Sequence, residues 1–173
     1  MTRFFMNKML CFISFILSFS LNIFAQKSLP DVQIKNLKEQ TISSKQLIGT
    51  NQPIIISFWA TWCKPCLQEI SAIADNLEDW QKETGVKFIA ISVDDSRSKA
   101  RVLTFVNTKK WKFDVYTDEN ADFQRALNVL NVPHTFILDT NGKIIYQHAS
   151  YALGDEEEYI DIVRRLKKVS TGK

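Results

Sequence analysis

The stretch Phe58-Trp59-Ala60-Thr61-Trp62-Cys63-Lys64-Pro65-Cys66 joins two segments of different periodicity. Before it, Ile54 to Phe58 is a nearly unbroken apolar run, the pattern of a strand covered on both faces. After it, Leu67, Ile70, Ile73, Ala74, Leu77 and Trp80 recur at three- and four-residue steps, the pattern of a helix with one buried side. Gly85 is placed to end that helix. The cysteines therefore stand where a strand gives way to a helix. Free N–H groups and the positive end of the dipole stabilise an anion there. A cysteine so placed has a depressed pKa and a larger fraction of the nucleophilic thiolate. Cys63 falls just before the predicted helix, beside the cation Lys64, and is expected to be the exposed nucleophile. Cys66 lies one turn in, facing inward with Leu67 and Ile70, and is expected to be the shielded resolving thiol. Pro65 is tolerated in the first turn, where its missing N–H would have no partner.

Two cysteines at this spacing can close a small ring, so one attacks and the other resolves a mixed disulfide by thiol–disulfide exchange. They also match half of a zinc clip. Structural zinc wants four ligands, however, and His134 and His148 are too far apart in sequence to form the usual close second pair. A purely structural disulfide over so short a loop adds little entropic stabilisation. The pair reads as a redox dithiol, with no metal and no cofactor expected beyond it.

Outward from this segment, Val32, Ile34 and Leu37 suggest a short strand and Thr41 to Ser43 a second. Val86 to Val93 reads as a further buried strand, and Ser96 to about Lys110 as a helix with Val102, Leu103, Phe105 and Val106 inward. Phe113 to Thr117 is a short strand and Glu119 to Leu127 a short helix. Thr135 to Leu138 and Lys143 to Gln147 flank Asp139-Thr140-Asn141-Gly142, a hairpin turn signal. A last helix spans about Asp155 to Val169, with acids at its start and bases at its end. That order complements the helix dipole and reads as a solvated face. Alternating strands and helices closed by a hairpin and a helix define an α/β fold with a mixed central sheet flanked by helices.

The chain has 173 residues, of which 45% are hydrophobic and 24% charged, enough for one domain with a sizeable core. That composition excludes a disordered or fibrous chain. A net charge of +3, with no basic cluster, gives no surface for nucleic acid. Residues Met1 to Lys8 carry Arg3 and Lys8 and no acid. An apolar run from Met9 to Phe24 follows, then Ala25: the layout of a secretory signal peptide over residues 1–25. The run is short for a membrane span, so cleavage near Ala25 is expected, with an uncleaved anchor as the alternative. Residues 26–173 form the mature domain. Removing the leader takes Cys11 with it, leaving only Cys63 and Cys66 in a protein sent to an oxidising space.

The Trp59-to-Cys66 segment, together with Val132-Pro133-His134-Thr135-Phe136 and the exported start, resembles the thioredoxin superfamily, and more narrowly the TlpA/ResA-type extracytoplasmic thiol–disulfide oxidoreductases. The resemblance covers most of residues 30 to 169. It implies a thioredoxin fold with an N-terminal β-hairpin and an inserted strand–helix element. Pro133 would be cis, Val132 would pair its backbone with the substrate, and Trp62 beside Cys63 would form part of the docking rim together with Lys64 and Pro65. Thioredoxin itself has an acid six residues before its first cysteine, where this chain has Ser57. The TlpA/ResA type instead has Glu three residues after the second cysteine, matching Glu69. Cys66 and Glu69 share a helix face, so a partly desolvated Glu69 would relay a proton to the thiol; a solvent-facing helix Glu is the alternative. His134 follows the proline, either as a titrating neighbour of the site or as an exposed loop residue.

The resemblance further implies a protein-disulfide reductase in the bacterial periplasm. Its partners would be oxidised substrate proteins, apocytochrome c among them through cytochrome c biogenesis, and a membrane thiol–disulfide electron donor. Three other readings remain. Lys64 favours the thiolate and so raises the potential, which leaves an oxidase or isomerase direction open. A peroxiredoxin-like peroxidase would want Pro and Thr seven and three residues before its cysteine, where this chain has Ile56 and Ala60. A thiol-based metal-handling module would use the same two cysteines as ligands.

Overall fold

A computed structural model describes residues 28–49 and 51–171. Among these residues seven strands form one sheet: β1 (Gln33–Asn36), β2 (Thr41–Ser43), β3 (Ile54–Trp59), β4 (Lys87–Ser92), β5 (Asp114–Thr117), β6 (His134–Leu138) and β7 (Ile144–Ala149), in the order β2-β1-β5-β4-β3-β6-β7. Four α-helices connect and cover them: α1 (Lys64–Thr84), α2 (Lys99–Lys109), α3 (Asp122–Ala126) and α4 (Asp155–Thr171). β3, β4 and β5 are parallel neighbours, while β6 runs antiparallel to β3, so the sheet is mixed as expected. β1 and β2 make the N-terminal hairpin, and β1 joins the sheet antiparallel to β5.

β3 is apolar at every position but one because both of its faces are covered. Ile55 and Trp59 point into one core with α1, α2 and α4, whose Cys66, Ile70, Ile73, Val102, Tyr159, Ile160 and Val163 meet there. Ile54, Ile56 and Phe58 point into the other, with Phe123, Leu127 and Phe136. Ser57 is the polar interruption on the first face, and it is fully buried. The strand thus carries one hydroxyl beneath α1, next to the turn that holds the cysteines.

Helix α1 begins at Lys64, directly after Cys63 as expected, because Cys63 serves as its N-cap and Pro65 occupies the first turn. It ends at Gly85, whose φ of 75° is the left-handed conformation that terminates helices. α2 is shorter than the expected Ser96–Lys110 span. Val102 and Val106 face the core one turn apart, whereas Leu103, expected inward, is exposed. The four-residue step that buries the two valines turns Leu103 away. The hairpin between β6 and β7 closes as its turn residues indicate. Asp139 accepts hydrogen bonds from the N–H groups of Asn141 and Lys143, and Gly142 takes a φ of 77°.

The expected leader, residues 1–25, lies outside the described residues. Among those described, no helix is long and apolar enough to cross a membrane. Phe123 on α3 packs its ring 5.2 Å from that of Phe58 and is fully buried. Phe123→Ala is expected to lower the free energy of unfolding by about 3–5 kcal/mol, read from urea denaturation.

Candidate active site

Cys63 and Cys66 form a disulfide across the first turn of α1, their Cα atoms 5.3 Å apart. The chain reaches this turn by a tight bend after β3, in which the Cys63 N–H donates to the Ala60 carbonyl at 3.1 Å. The Leu67 N–H donates to the Cys63 carbonyl at 3.2 Å, the first bond of the helix. The Cys66 N–H, otherwise without an intrahelical acceptor, points at Cys63 Sγ at 3.3 Å. The sulfur thus occupies the place of a capping side-chain oxygen. An N–H at a helix terminus aimed at a side-chain atom in this way is the geometry by which such a terminus stabilises an anion.

Cys66 is fully buried, as expected. Cys63 is not the openly exposed thiol that the sequence suggests: it is 5% accessible in the disulfide. The cause is its capping geometry, which turns the sulfur toward the helix while its neighbours Trp62, Lys64 and Pro65 stand in solvent. Trp62 is 67% accessible, unusual for so large an apolar side chain.

Glu69 is fully buried and held by three hydroxyl groups, so the solvent-facing alternative does not hold. Ser57 donates to Oε2 at 2.6 Å, Thr135 to Oε1 at 2.7 Å and Tyr159 to Oε1 at 3.1 Å. The donors come from β3, β6 and α4, so the carboxylate ties α1 to three other elements. Burial pushes the Glu69 carboxyl above its ordinary value, against the lowering effect of the three hydrogen bonds and of the more distant His148. Hydroxyls suit such a group because each rotates between donating and accepting, and so satisfies either protonation state. Ser57 holds the position of thioredoxin's acid, and here the acid reaches it from the helix. The Tyr159 hydroxyl, beside this carboxylate, is itself pushed upward by burial and then by Glu69.

The Val132–Pro133 peptide is cis. Pro133 is buried, Val132 is half-buried, and the Pro133 carbonyl accepts from the Ser150 N–H at 2.9 Å. His134 follows at the start of β6 but lies on the face opposite Thr135, stacked on Phe136 with ring centroids 4.6 Å apart. Its Nε2 is buried without a partner, and burial pulls its pKa down. The structure therefore does not bring His134 to Glu69. It brings His148, the cross-strand partner of Thr135, which pairs with Asp155 at 3.1 Å. The acids at the start of α4 are correspondingly more than a solvated face: Asp155, Glu156 and Glu158 bond to His148, Tyr151 and Tyr146.

Sequence reasoning missed Thr135, Tyr159 and Asp94. Thr135 stands two residues after Pro133 in the sequence and is legible as a polar residue inside a buried strand, whereas Tyr159 carries no signal beyond its helical spacing. Asp94 accepts from the Thr61 N–H and hydroxyl at 2.8 and 2.7 Å and so anchors the turn that precedes Cys63. Ile56 and Ala60, at the peroxidase positions, are both buried apolar residues. Among the described residues, no group of three His, Cys, Asp or Glu side chains is arranged to hold a metal ion.

A cysteine pair at the N-terminus of a helix, with a cis-proline at the start of the neighbouring strand of a mixed sheet, is the arrangement of the thioredoxin superfamily, and residues 25–147 match the AhpC/TSA family. Within it the chain belongs to the TlpA/ResA-like group of thiol–disulfide oxidoreductases. It is 30% identical over 135 residues to the thiol-disulfide oxidoreductase ResA of Bacillus thuringiensis subsp. konkukian, covering 78% of this chain and 75% of the relative. It is 35% identical over 121 residues to the thioredoxin-like protein YneN of Bacillus subtilis, covering 66% of this chain and 65% of that one. Its structure is similar to that of an uncharacterized thioredoxin-like protein from Porphyromonas gingivalis, with a TM-score of 0.74 and 45% identity over 85% of this chain and 95% of the other.

Because its carboxyl is held above the ordinary value, Glu69 supports the folded state fully below the range where an unfolded Glu titrates. That support is lost as pH rises through the raised value. Glu69→Gln, which does not titrate, is therefore expected to gain stability relative to the native protein as pH climbs from about 4 toward neutrality. Urea midpoints measured across that range read the difference directly; a constant gap would contradict the raised titration.

Proposed function

We propose that the protein is an exported protein-disulfide reductase that works by mixed-disulfide exchange. The observation that carries this reading is the Cys63–Cys66 disulfide capping α1, with the buried, upward-shifted carboxyl of Glu69 one helical turn beyond Cys66. In the reduced protein the Cys63 thiolate attacks one sulfur of a substrate disulfide. A Cys63–substrate disulfide forms and the first substrate thiolate leaves. Cys66 then attacks Cys63 Sγ, its proton passing to Glu69, and the second substrate thiolate leaves. The substrate has gained two electrons and the protein is left as the Cys63–Cys66 disulfide. A donor dithiol restores it by the reverse exchange.

Trp62, Lys64 and Pro65 form the exposed rim that a substrate meets, and Val132 beside Pro133 offers backbone groups to an extended peptide. The chemistry calls for oxidised proteins as substrates and a membrane thiol–disulfide carrier as donor. The basic-then-apolar start at residues 1–25 supports an extracytoplasmic, periplasmic setting, where cytochrome c biogenesis would make apocytochrome c one such substrate. No cofactor enters the cycle, since the two sulfurs hold both electrons.

Cys63→Ser is expected to abolish reduction of insulin disulfides. Cys66→Ser should accumulate covalent substrate adducts through Cys63, visible on non-reducing gels and released by dithiothreitol. Full activity in Cys63→Ser, or metal retention by the reduced protein with no disulfide reduction, would overturn the reading. Glu69→Gln should slow resolution of a preformed Cys63 mixed disulfide by about a hundredfold at neutral pH, the lower part of what a positioned base contributes. An unchanged rate would remove Glu69 from the proton transfer.

A further inference from the structure

Asp94 is a second buried carboxylate at the active end of the sheet, and the cycle above makes no use of it. It is 2% accessible and stands two residues past β4. Oδ2 accepts from the Thr61 N–H at 2.8 Å and from the Ser92 hydroxyl at 2.8 Å, and Oδ1 accepts from the Thr61 hydroxyl at 2.7 Å. The Asp94 N–H in turn donates to Ser92 Oγ at 3.1 Å. Every donor is neutral. The nearby Arg97 is engaged with Asp95, its Nε 2.8 Å from Oδ2. Thr61 lies two residues before Cys63, inside the bend that the Cys63 N–H closes onto Ala60.

We infer that Asp94 is a positioning residue for Cys63: it clamps the bend that presents the sulfur to the Cys66 N–H, and its charge opposes the Cys63 thiolate, holding the pair toward the reducing end of its range. Neutral hydroxyl and amide donors spread the charge of a carboxylate without cancelling it, and a buried charge is screened less than one in water. A neighbouring like charge disfavours a thiolate. A reduced form made less stable in this way gives up its electrons more readily, the opposite of an oxidant whose reduced form is stabilised. Asp94 thus offsets the helix terminus and Lys64, which act on Cys63 in the other direction. The inference rests on the thiol–disulfide reading and gives its direction a structural cause.

The test equilibrates the native protein, Asp94→Asn, Asp94→Glu and Thr61→Val with glutathione buffers at pH 7. One Cys63–Cys66 disulfide and two glutathione thiols convert to the dithiol and one glutathione disulfide. Asp94→Asn is expected to move this equilibrium about tenfold toward the dithiol, ~30 mV for a two-electron couple, and to raise the rate of Cys63 alkylation. Asp94→Glu and Thr61→Val keep the charge and loosen the clamp. Their equilibrium constants should stay near the native value while alkylation of Cys63 changes. A role in folding alone would lower the unfolding midpoint of Asp94→Asn and leave equilibrium and alkylation untouched, and that result would overturn the inference. So would an Asp94→Glu protein shifted as far as Asp94→Asn. Should Asp94→Asn fail to fold, Asp94→Glu and Thr61→Val decide the matter, since a tenfold shift in either contradicts a charge-based cause. A native protein that exchanged with no glutathione at all would overturn the dithiol reading itself and this inference with it.

Discussion

The bond from the Cys66 N–H to Cys63 Sγ is the contact on which the remaining features depend. It places a sulfur where helices ordinarily place a serine or aspartate oxygen, so the end of α1 is capped by one atom of the disulfide, the atom to which the proposed exchange assigns the attack. The surrounding structure serves that placement. The apolar β3 delivers the chain to the bend from a strand buried on both faces, Pro65 accepts the first-turn geometry, and Asp94 fastens Thr61 to the end of β4. A sulfur that caps a helix is turned toward it and partly covered, which is why Cys63 is nearly inaccessible while Trp62, Lys64 and Pro65 are not.

The second constraint is the burial of Glu69. A carboxyl group removed from water needs hydrogen bonds on both oxygens or it destabilises the fold. Ser57, Thr135 and Tyr159 supply them from three separate elements. Because all three are hydroxyls, the cradle tolerates proton loss and gain without leaving a polar group unpaired. A lysine or arginine partner would have fixed Glu69 in its charged form and ruled out the proton transfer proposed for it. The upward displacement of its titration and the neutral character of its partners are therefore two aspects of one arrangement.

Much of this was legible in the residues. The run Ile54 to Phe58, the three- and four-residue steps after Cys66, and the turn before Lys143 each follow from periodicity and turn chemistry, and the strands and helices fall where they indicate. The disulfide pair was legible from spacing, and the cis peptide at Pro133 and the importance of Glu69 from family resemblance. What escaped were contacts between residues distant in sequence. Tyr159 lies 90 positions from Glu69 and Asp94 lies 33 from Thr61, and no local pattern signals either bond. Ser57 was visible as a departure from thioredoxin, but its role as a donor to Glu69 required the sheet to set it beneath α1. His134 and His148 reversed their apparent importance for the same reason: alternation along β6 sends His134 to the Phe136 face, while pairing of β6 with β7 sets His148 opposite Thr135.

The most direct test of the account follows electrons and mass together. The fully reduced protein is mixed anaerobically with a limiting amount of a protein bearing one accessible disulfide, and intact masses are recorded for both. Transfer through Cys63 and Cys66 predicts that each substrate molecule gains two hydrogens while one molecule of this protein loses two and acquires the Cys63–Cys66 bond. A substrate that stayed oxidised, or that became reduced while Cys63 and Cys66 remained free thiols, would contradict it.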